Sequence, residues 1–562
     1  MKKIINHPSD VIEDYIRGLV GATPHLARVA GWPVVVRSAA TRKGDDRVAL
    51  VSGGGSGHEP AHAGFVGTGM LDAAVLGPVF TSPSVDAVLA AIKAVATDAG
   101  VLLIVKNYTG DRLNFGLAAQ LARSEGIRVE TVTVADDAAL ADRAGAGRRG
   151  LTSTVLAHKV AGAAAERREP IERIVGLVER LTARSATMGL ALGPAHVPGA
   201  DAPNFVLGED EVEWGLGIHG EPGRERGPIV PAAGIAAALV GRVVEDRGFA
   251  AGDEVAVVVN SLGGTPDLEL RILQGEALAE VRRHGLVPRI TWAGPFVTSL
   301  DMPGASITIA GVDDELLELL TADAAVAAFP QSAELLDPDR ETVVPSPFDA
   351  AVPAPGTGSS PIVAALHERV IAIAEAIVAA EPELTALDRE VGDGDLGINL
   401  ARGATAVLDA GEALRTQADP TAYLRAVAAL LRYHVGGTSG PLYSILLLGV
   451  AERLDGVDAP RATDWAEALA LGVGDIQRIG GAKPGSRTMV DALAPAVDAA
   501  LAGETLARVA ASARAGADST AAIVASLGRS SYVGERAIGT PDPGAVAVAV
   551  ILERLAASPT EA

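Results

Sequence analysis

A stretch rich in proline, glycine and serine divides the 562-residue chain at residues 345–361. Its five prolines, with glycine and serine between them, are typical of an extended linker. Before it, β-branched runs that predict strands alternate with helical patterns, at residues 47–51, 101–105, 128–134, 254–260 and 306–310. After it, strand patterns disappear and segments rich in Ala and Leu carry apolar residues at helical spacing, at residues 362–379, 421–432, 463–473 and 490–501.

This contrast predicts two kinds of domain. We expect an α/β domain over residues 1–344, subdivided near residues 185–210, in which strands and helices alternate. The linker then leads to an all-helical bundle over residues 362–562.

The composition combines a large acidic excess with the absence of cysteine. The formal net charge is −23, which argues against a nucleic-acid or anionic-membrane surface. No window reaches 18 uninterrupted apolar residues and the N-terminus lacks a signal-peptide pattern, so we expect no membrane span. Without cysteine there is no disulfide or thiolate chemistry, which fits a cytoplasmic location.

Three aspartates surround a glycine-rich turn early in the second domain. Asp393 and Asp395 follow Asp388 by five and seven positions, and the glycines beside them permit a tight turn. Converging carboxylates repel one another unless a cation lies among them, and oxygen ligands suit Mg2+ or Ca2+. A partly open Mg2+ site is one way to hold nucleotide phosphates. The alternative is that Asp393 or Asp395 caps the helix that begins near Leu396.

Three loops of the first domain carry candidate ligand groups. Gly55 and His58 follow a predicted strand, where backbone amides can approach a ligand closely. Lys106 and Asp111 lie at the C-terminal end of another strand, the usual ligand edge of an open α/β sheet. His219 lies among small residues and can act as a base, a metal ligand or a nucleophile towards a carbonyl. Taken singly, three of them also fit a structural role: His58 as a turn residue, Asp111 as the cap of a helix beginning near Arg112, and His219 as a surface residue.

Taken together, these segments resemble the dihydroxyacetone kinase family. The first domain is similar to the family's substrate-binding DhaK domain, through the runs 53–62, 106–115 and 217–222. The second is similar to its nucleotide-binding DhaL domain, through the runs 387–395, 436–443, 484–491, 528–536 and 542–545. The resemblance implies an ATP-dependent kinase that phosphorylates a primary hydroxyl of a small hydroxyketone, dihydroxyacetone first.

The resemblance also implies roles for residues of the first domain. A ring nitrogen of His219 would add to the ketone carbon of the substrate and hold it as a hemiaminal. Asp111 matches the base that takes the proton from the attacking hydroxyl, with His58 hydrogen-bonding nearby. Gly55 and Lys106 match positions that bind the substrate's oxygens. A homodimer through this domain is implied as well.

In the second domain, the resemblance implies two Mg2+ ions held against the ATP phosphates by Asp388, Asp393 and Asp395. Nucleotide contacts are implied at Thr438, Ser439, Gly480, Thr488, Met489, Asp542, Pro543 and Gly544. Leu396 departs from family members that carry His, Thr or Cys at this position. The departure removes no metal ligand but leaves the local phosphate contact open.

Three alternatives use the same residues. Erythrulose, a four-carbon ketose, is the alternative acceptor, because one sequence does not settle the room for an extra hydroxymethyl group. Some relatives also have FAD-AMP lyase activity, which converts FAD to cyclic FMN and AMP. The non-enzymatic alternative is a ligand-sensing regulator, although such a role does not need His219, Asp111 and the three aspartates together.

Overall fold

The computed structural model describes residues 2–38, 46–140, 147–200, 202–330, 360–392, 394–457, 459–525 and 534–557. The chain forms two compact units, residues 1–341 and 342–562. The first is an α/β unit and the second a helical unit, as predicted. Most of the predicted linker, and Asp393 of the predicted metal site, lie outside the described residues.

The first sheet of the α/β unit has six strands in the order β1-β2-β4-β3-β5-β6. Their bounds are β1 (Leu26–Arg28), β2 (Val34–Arg37), β3 (Ala49–Ser56), β4 (Ala73–Val79), β5 (Val101–Lys106) and β6 (Val129–Val134). Strands β4, β3, β5 and β6 are parallel, and every residue of β3 and β5 is buried. Parallel strands that are covered on both faces read as continuous apolar runs, as β5 does.

The second sheet has the order β11-β10-β12-β7-β8-β9. Its strands are β7 (Ser185–Ala191), β8 (Glu211–Trp214), β9 (Glu225–Pro228), β10 (Glu254–Ser261), β11 (Val287–Gly294) and β12 (Gly304–Gly311). Only β10 and β11 pair in parallel among these strands. The five predicted strand runs all lie on observed strands, β3, β5, β6, β10 and β12.

The described helices of the α/β unit cover both sheets. They are α1 (Val11–Ala22), α2 (Val85–Val95), α3 (Thr109–Ser124), α4 (Ser153–Glu166), α5 (Ile171–Ala183), α6 (Ala232–Arg247), α7 (Asp267–Arg283) and α8 (Asp314–Thr321). Ile104 of the first sheet and Val258 of the second share one core with Leu156 of α4. Helix α4 therefore lies between the two sheets, and all its residues from Ser153 to Ala165 are buried.

The helical unit contains ten described α-helices and, within the described part, no strand. They are α9 (Pro361–Ala379), α10 (Glu381–Val391), α11 (Leu396–Asp409), α12 (Gly411–Arg415), α13 (Pro420–His434), α14 (Ser439–Arg453), α15 (Ala462–Gly480), α16 (Met489–Leu501), α17 (Leu506–Ser519) and α18 (Pro543–Ala557). The four segments predicted as helices correspond to α9, α13, α15 and α16. Across the described ranges, none of the helices has the length and apolar character needed to cross a membrane.

Two helical glycines test how closely α4 is packed. A Cβ on Gly162 of α4 would lie 2.3 Å from the carbonyl oxygen of Gly69, whereas a Cβ on Gly176 of α5 would meet nothing within 4 Å. We expect Gly162→Ala to lower the free energy of unfolding by about 2 kcal/mol, because overpacking outweighs the gain in helix propensity. Gly176→Ala is the matched control and should raise it by about 0.5–1 kcal/mol. Urea denaturation measures both, and stabilisation by Gly162→Ala would contradict the packing described.

Candidate functional site

Four predicted site residues lie at the C-terminal edge of the first sheet. Gly55 is near the end of β3, and His58 follows in the next turn. Lys106 is the last residue of β5, and Asp111 lies in the first turn of α3. Because the carboxyl ends of parallel strands meet at one edge, these groups come together there.

The glycine run of β3 allows the backbone to pass close to these side chains. Gly54 has φ +158°, and a Cβ there would lie 2.9 Å from Lys106 Nζ and 3.6 Å from Asp111 Oδ2. A Cβ on Gly55 would lie 2.6 Å from the backbone nitrogen of Thr81. Lys106 and Asp111 therefore lie side by side against bare backbone, and a side chain at either glycine would have no room.

His219 reaches the same pocket from the loop after β8, in the second sheet. Its ring centroid lies 4.8 Å from that of His58, 5.3 Å from Phe80 and 4.7 Å from Tyr108. Its Nδ1 is 2.9 Å from Oε1 of Glu221, and its backbone N–H donates to Oε2 of Glu221 at 2.9 Å. A carboxylate only accepts, so Nδ1 carries the proton and the lone pair of a neutral ring is on Nε2.

Burial and neighbouring charges set the protonation of this pocket. Burial, followed by the charge of Lys106, holds the pKa of His58 well below its usual value, so His58 is neutral. Burial also lowers the pKa of Lys106, and the negative charges of Asp111, Glu221 and Glu59 partly oppose this shift. Burial alone would raise the pKa of Glu221, but the hydrogen bond to His219 and the charge of Arg149 are among the interactions that lower it to about 2.

Three buried polar groups in the pocket have no hydrogen-bond partner among the described residues. They are Nε2 of His58, Nζ of Lys106 and the hydroxyl of Tyr108. The other ring nitrogen of His58, Nδ1, donates to the carbonyl oxygen of Thr298 at 2.7 Å. Buried polar atoms are almost always satisfied, so this pocket is suited to a small ligand rich in oxygen.

Sequence reasoning missed Glu221 and Ser82. Ser82 Oγ donates to Oδ1 of Asp111 and orients this carboxylate. The N-cap position of α3 is Tyr108, so the alternative of Asp111 as the N-cap is wrong. Glu221 stands two residues after His219 in an irregular loop, where no periodic pattern marks it. A carboxylate this close to a candidate histidine was the one available signal.

In the helical unit, the aspartate loop lies between α10 and α11. Oδ2 of Asp388 accepts the backbone N–H groups of Asp395 and Leu396, at 2.9 and 3.1 Å. Asp395 is at the N-cap position of α11 but makes no capping hydrogen bond through its side chain, so the capping alternative is wrong for Asp395. Within the described ranges, which exclude Asp393, no group of three or more His, Asp or Glu residues could hold a metal ion. The predicted set of three metal ligands therefore stays a prediction.

The residues implied in nucleotide binding lie at helix ends. Thr438 and Ser439 begin α14, Gly480 ends α15, Thr488 and Met489 begin α16, and Asp542, Pro543 and Gly544 begin α18. The Thr488 side chain accepts from the backbone of α16, and Oδ1 of Asp542 accepts the N–H of Ala545 at 2.8 Å. Helix N-termini offer backbone donors and partial positive charge, which is the chemistry that phosphates require.

Several of these helix ends meet in space. A Cβ on Gly544 would lie 3.2 Å from Oδ1 of Asp542 and 3.9 Å from Cβ of Met489. Thr540 Oγ1 donates to Oε2 of Glu390 at 2.7 Å, which joins the start of α18 to α10 and its aspartate loop. The starts of α16 and α18 therefore lie beside the end of α10.

The loop that precedes Thr438 contacts α11, which begins at the aspartate loop, and Gly480 lies close to α14. A Cβ on Gly436, in the loop before Thr438, would lie 3.1 Å from Oδ1 of Asn399 on α11. A Cβ on Gly480 would lie 3.8 Å from Leu442 on α14.

Arg487 is a buried residue that sequence reasoning did not assign. It has φ +59°, and its guanidinium donates to the carbonyl oxygens of Thr520, Ala537 and Thr540. A buried guanidinium that serves three backbone acceptors ties the segment before α18 to the start of α16.

Comparison with known proteins agrees with this arrangement. The Dak1 domain family matches residues 17–328, and the DAK2 domain family matches residues 390–557. The chain belongs to the dihydroxyacetone kinase family. A triokinase/FMN cyclase from Bos taurus is 40% identical, over 99% of this chain and 98% of the relative. A D-erythrulose kinase from Mycolicibacterium smegmatis is 37% identical, also over 99% of this chain and 98% of the relative.

A solved structure of the same family has a similar fold over nearly the whole chain. The dihydroxyacetone kinase from C. freundii, solved in complex with AMP-PNP and Mg2+, is 34% identical with a TM-score of 0.64. The match covers 99% of this chain and 100% of that one. This chain is therefore a kinase by family, and the histidine pocket and the cluster of helix ends belong to its two family domains.

The stability of the helical unit should depend on pH through Asp542. Burial raises the pKa of Asp542 from 3.8 to about 6, with the charges of Asp491 and Asp388 adding to the effect. The folded chain thus binds this proton more tightly than the unfolded chain does. The stability of the fold therefore decreases as the pH rises from 3.8 to about 6. Asp542→Asn keeps a capping oxygen and removes the charge. We expect it to stabilise the metal-free protein by about 3 kcal/mol at pH 7 and to have little effect at pH 4.

Urea denaturation at the two pH values measures this difference. Asp498→Asn, an exposed position on α16, is the matched control and should show no dependence on pH. An equal effect of Asp542→Asn at both pH values would contradict the protonation assigned to Asp542.

Proposed function

We propose that this protein is an ATP-dependent kinase of a small hydroxyketone, with dihydroxyacetone as the first candidate. The observation that carries the proposal is the His219 ring, whose Nδ1 bonds Glu221 and whose Nε2 is thereby the nucleophilic nitrogen. Beside it lie the unpartnered polar atoms of His58 and Lys106. A ketone that bears short hydroxyl arms supplies an electrophile for the ring and oxygens for these donors.

The first step is capture of the ketone by His219. Nε2 adds to the ketone carbon, a C–N bond replaces the π bond of the carbonyl, and the carbonyl oxygen takes up a proton from water. The ring gains positive charge as the bond forms, and the carboxylate of Glu221 stabilises this charge. A polyol such as glycerol has no electrophilic carbon and is not captured.

The second step is attack of the substrate's primary hydroxyl on the γ-phosphorus of ATP. A new O–P bond forms to the substrate, the bond from the γ-phosphorus to the bridging oxygen of the β-phosphate breaks, and ADP leaves. Asp111 is the proposed base for the proton of this hydroxyl, and Ser82 holds its carboxylate in place. Lys106 and the neutral His58 are placed to bond the substrate's oxygens. Gly55 is proposed to bind the substrate through its backbone, and its missing side chain leaves room for the backbone at Thr81.

The nucleotide is assigned to the helical unit. Asp388 and Asp395, with Asp393, supply hard carboxylate oxygens of the kind Mg2+ prefers, and we propose that they hold two ions. Bound Mg2+ neutralises charge on the phosphates. Thr438 and Ser439 at the start of α14 are proposed phosphate donors. Gly480, Thr488, Met489, Asp542, Pro543 and Gly544 are proposed to line the nucleotide.

D-Erythrulose is the second candidate acceptor. A relative that is 37% identical over 98% of its own length is named a D-erythrulose kinase, which supports a four-carbon ketose in the same pocket. The bovine relative is named for FMN cyclase as well as triokinase, which supports an FAD-AMP lyase side activity. A non-enzymatic regulator is less well supported, because the chain carries a DAK2 domain in addition to the domain with the histidine pocket.

We also propose a homodimer through the α/β unit and a cytoplasmic location. The family resemblance supports the dimer, and a chain without cysteine fits a reducing compartment. Light scattering of the purified protein tests the first of these proposals.

Capture by His219 is tested by intact mass under mild denaturation. We expect dihydroxyacetone or erythrulose to add its own mass to the wild type, and His219→Ala to abolish the adduct, because the nucleophilic nitrogen is gone. His284→Ala, at the end of α7, is the matched control and should retain it. ADP release without an adduct that depends on His219 would leave a kinase but eliminate the hemiaminal.

The role of the aspartate loop is tested by Asp388→Asn. The amide oxygen can still accept from the start of α11, so the change removes charge and spares the cap. We expect ADP release in a coupled assay to fall about 100-fold or more, since an anionic ligand of the proposed Mg2+ ions is lost. Adduct formation on His219 should be unchanged. Asp409→Asn, exposed at the end of α11, is the control, and wild-type turnover in Asp388→Asn would contradict the assignment.

A further inference from the structure

A buried arginine outside the predicted site contacts the loop that carries His219. Arg149 lies in the segment before α4 and is 7% exposed. Its Nε donates to Oδ2 of Asp137 at 2.5 Å, its Nη2 to the carbonyl oxygen of Gly215 at 2.7 Å, and its Nη1 to that of Glu221 at 3.5 Å. Nη1 is also 3.9 Å from Oε2 of Glu221. One side chain therefore holds both ends of the 215–221 loop.

The loop is shaped around this guanidinium. The N–H of Gly217 donates to the carbonyl oxygen of Glu221 at 3.1 Å, which closes the loop on itself. A Cβ on Gly217 would lie 2.3 Å from Nη1 of Arg149 and 2.0 Å from Oε2 of Glu221. The charged groups thus occupy the space in which a side chain at residue 217 would lie.

The carboxylate that anchors Arg149 belongs to Asp137, in the segment that follows the first sheet. Asp137 follows β6 of the first sheet and is buried, and its Oδ1 accepts the N–H of Ala139 at 2.8 Å. The guanidinium therefore connects the first sheet, which carries Lys106, to the loop of His219 in the second. The relative placement of these two side chains depends on this connection.

The charge of Arg149 also bears on the state of the His219 ring. A carboxylate 2.9 Å from Nδ1 favours the imidazolium, which has no lone pair with which to attack a ketone. A guanidinium beside the same carboxylate offsets this pull and favours the neutral ring. Arg149 shares its charge between Asp137 and Glu221, so its effect on His219 depends on both carboxylates.

We propose that Arg149, anchored on Asp137, is a positioning residue that offsets the charge of Glu221 and fixes the 215–221 loop, so that His219 presents an unprotonated Nε2 to the ketone. The inference rests on the proposed capture of a ketone by His219. Arg149 itself acts only through Glu221 and the loop.

Other titratable groups face His219 from the neighbouring elements. The rings of His58, in the turn after β3, and of Tyr108, at the start of α3, contact that of His219, and Lys106 at the end of β5 interacts electrostatically with Glu221. These groups are the same in every variant below, so differences between the variants report on Arg149 and Asp137.

The pH profile of adduct formation with dihydroxyacetone tests the charge effect. In Arg149→Met the imidazolium is stabilised, so the acid midpoint of the profile should rise by about one pH unit. Arg149→Lys retains a cation and should return the midpoint most of the way to that of the wild type. Asp137→Asn leaves more of the guanidinium's charge for Glu221 and should lower the midpoint. A role in folding alone lowers the melting temperature without shifts of opposite sign.

A second readout does not involve the ketone. In 15N NMR of histidine-labelled protein at neutral pH, we expect His219 of the wild type to carry its proton on Nδ1, and Arg149→Met to show a partly charged or mixed-tautomer ring. If the wild type forms no adduct at any pH, the capture proposal fails, and this spectrum still decides the role of Arg149. If Arg149→Met does not fold, Asp137→Asn carries the test. Unchanged midpoints and an unchanged His219 spectrum in the folded variants would overturn the inference.

Discussion

The hydrogen bond between Nδ1 of His219 and Glu221 decides what the histidine pocket can do. It fixes the tautomer of the ring, so that Nε2 is the nitrogen that is free to react. Glu221 in turn depends on a loop too tight for a side chain at Gly217 and on the guanidinium of Arg149. The chemistry proposed here therefore depends on packing several residues away from the reacting atom.

The pocket exists because the two sheets of the α/β unit meet across α4. The first sheet supplies His58, Lys106 and Asp111 from the C-terminal ends of parallel strands, and the second supplies His219. A buried helix whose residues from Ser153 to Ala165 are all covered keeps the two sheets at a fixed separation. The candidate site of the helical unit is built differently, from helix N-termini that lie beside an aspartate loop. The buried Arg487 holds the segment before α18 through hydrogen bonds to its carbonyl oxygens.

Much of this arrangement is predictable from sequence, and what is not has a physical reason. Strand β5 is a continuous apolar run that predicts a strand correctly, whereas β3 continues to Ser56 through glycines that are typical of a loop. Strand β4 consists largely of small residues and carries no strong strand pattern. The convergence of Lys106 and Asp111 follows from parallel topology. The contact of Arg149 with Glu221 joins residues that are 72 positions apart, so no local pattern reports it.

The most direct test of the account is 13C NMR of dihydroxyacetone labelled at its carbonyl carbon, recorded with the protein and without ATP. Capture by His219 predicts that the carbonyl resonance of the bound ketone is replaced by that of a tetrahedral carbon bonded to nitrogen. The new resonance should be absent with His219→Ala. A bound ketone that retains its carbonyl resonance would contradict the covalent step and leave His219 as a hydrogen-bonding residue only.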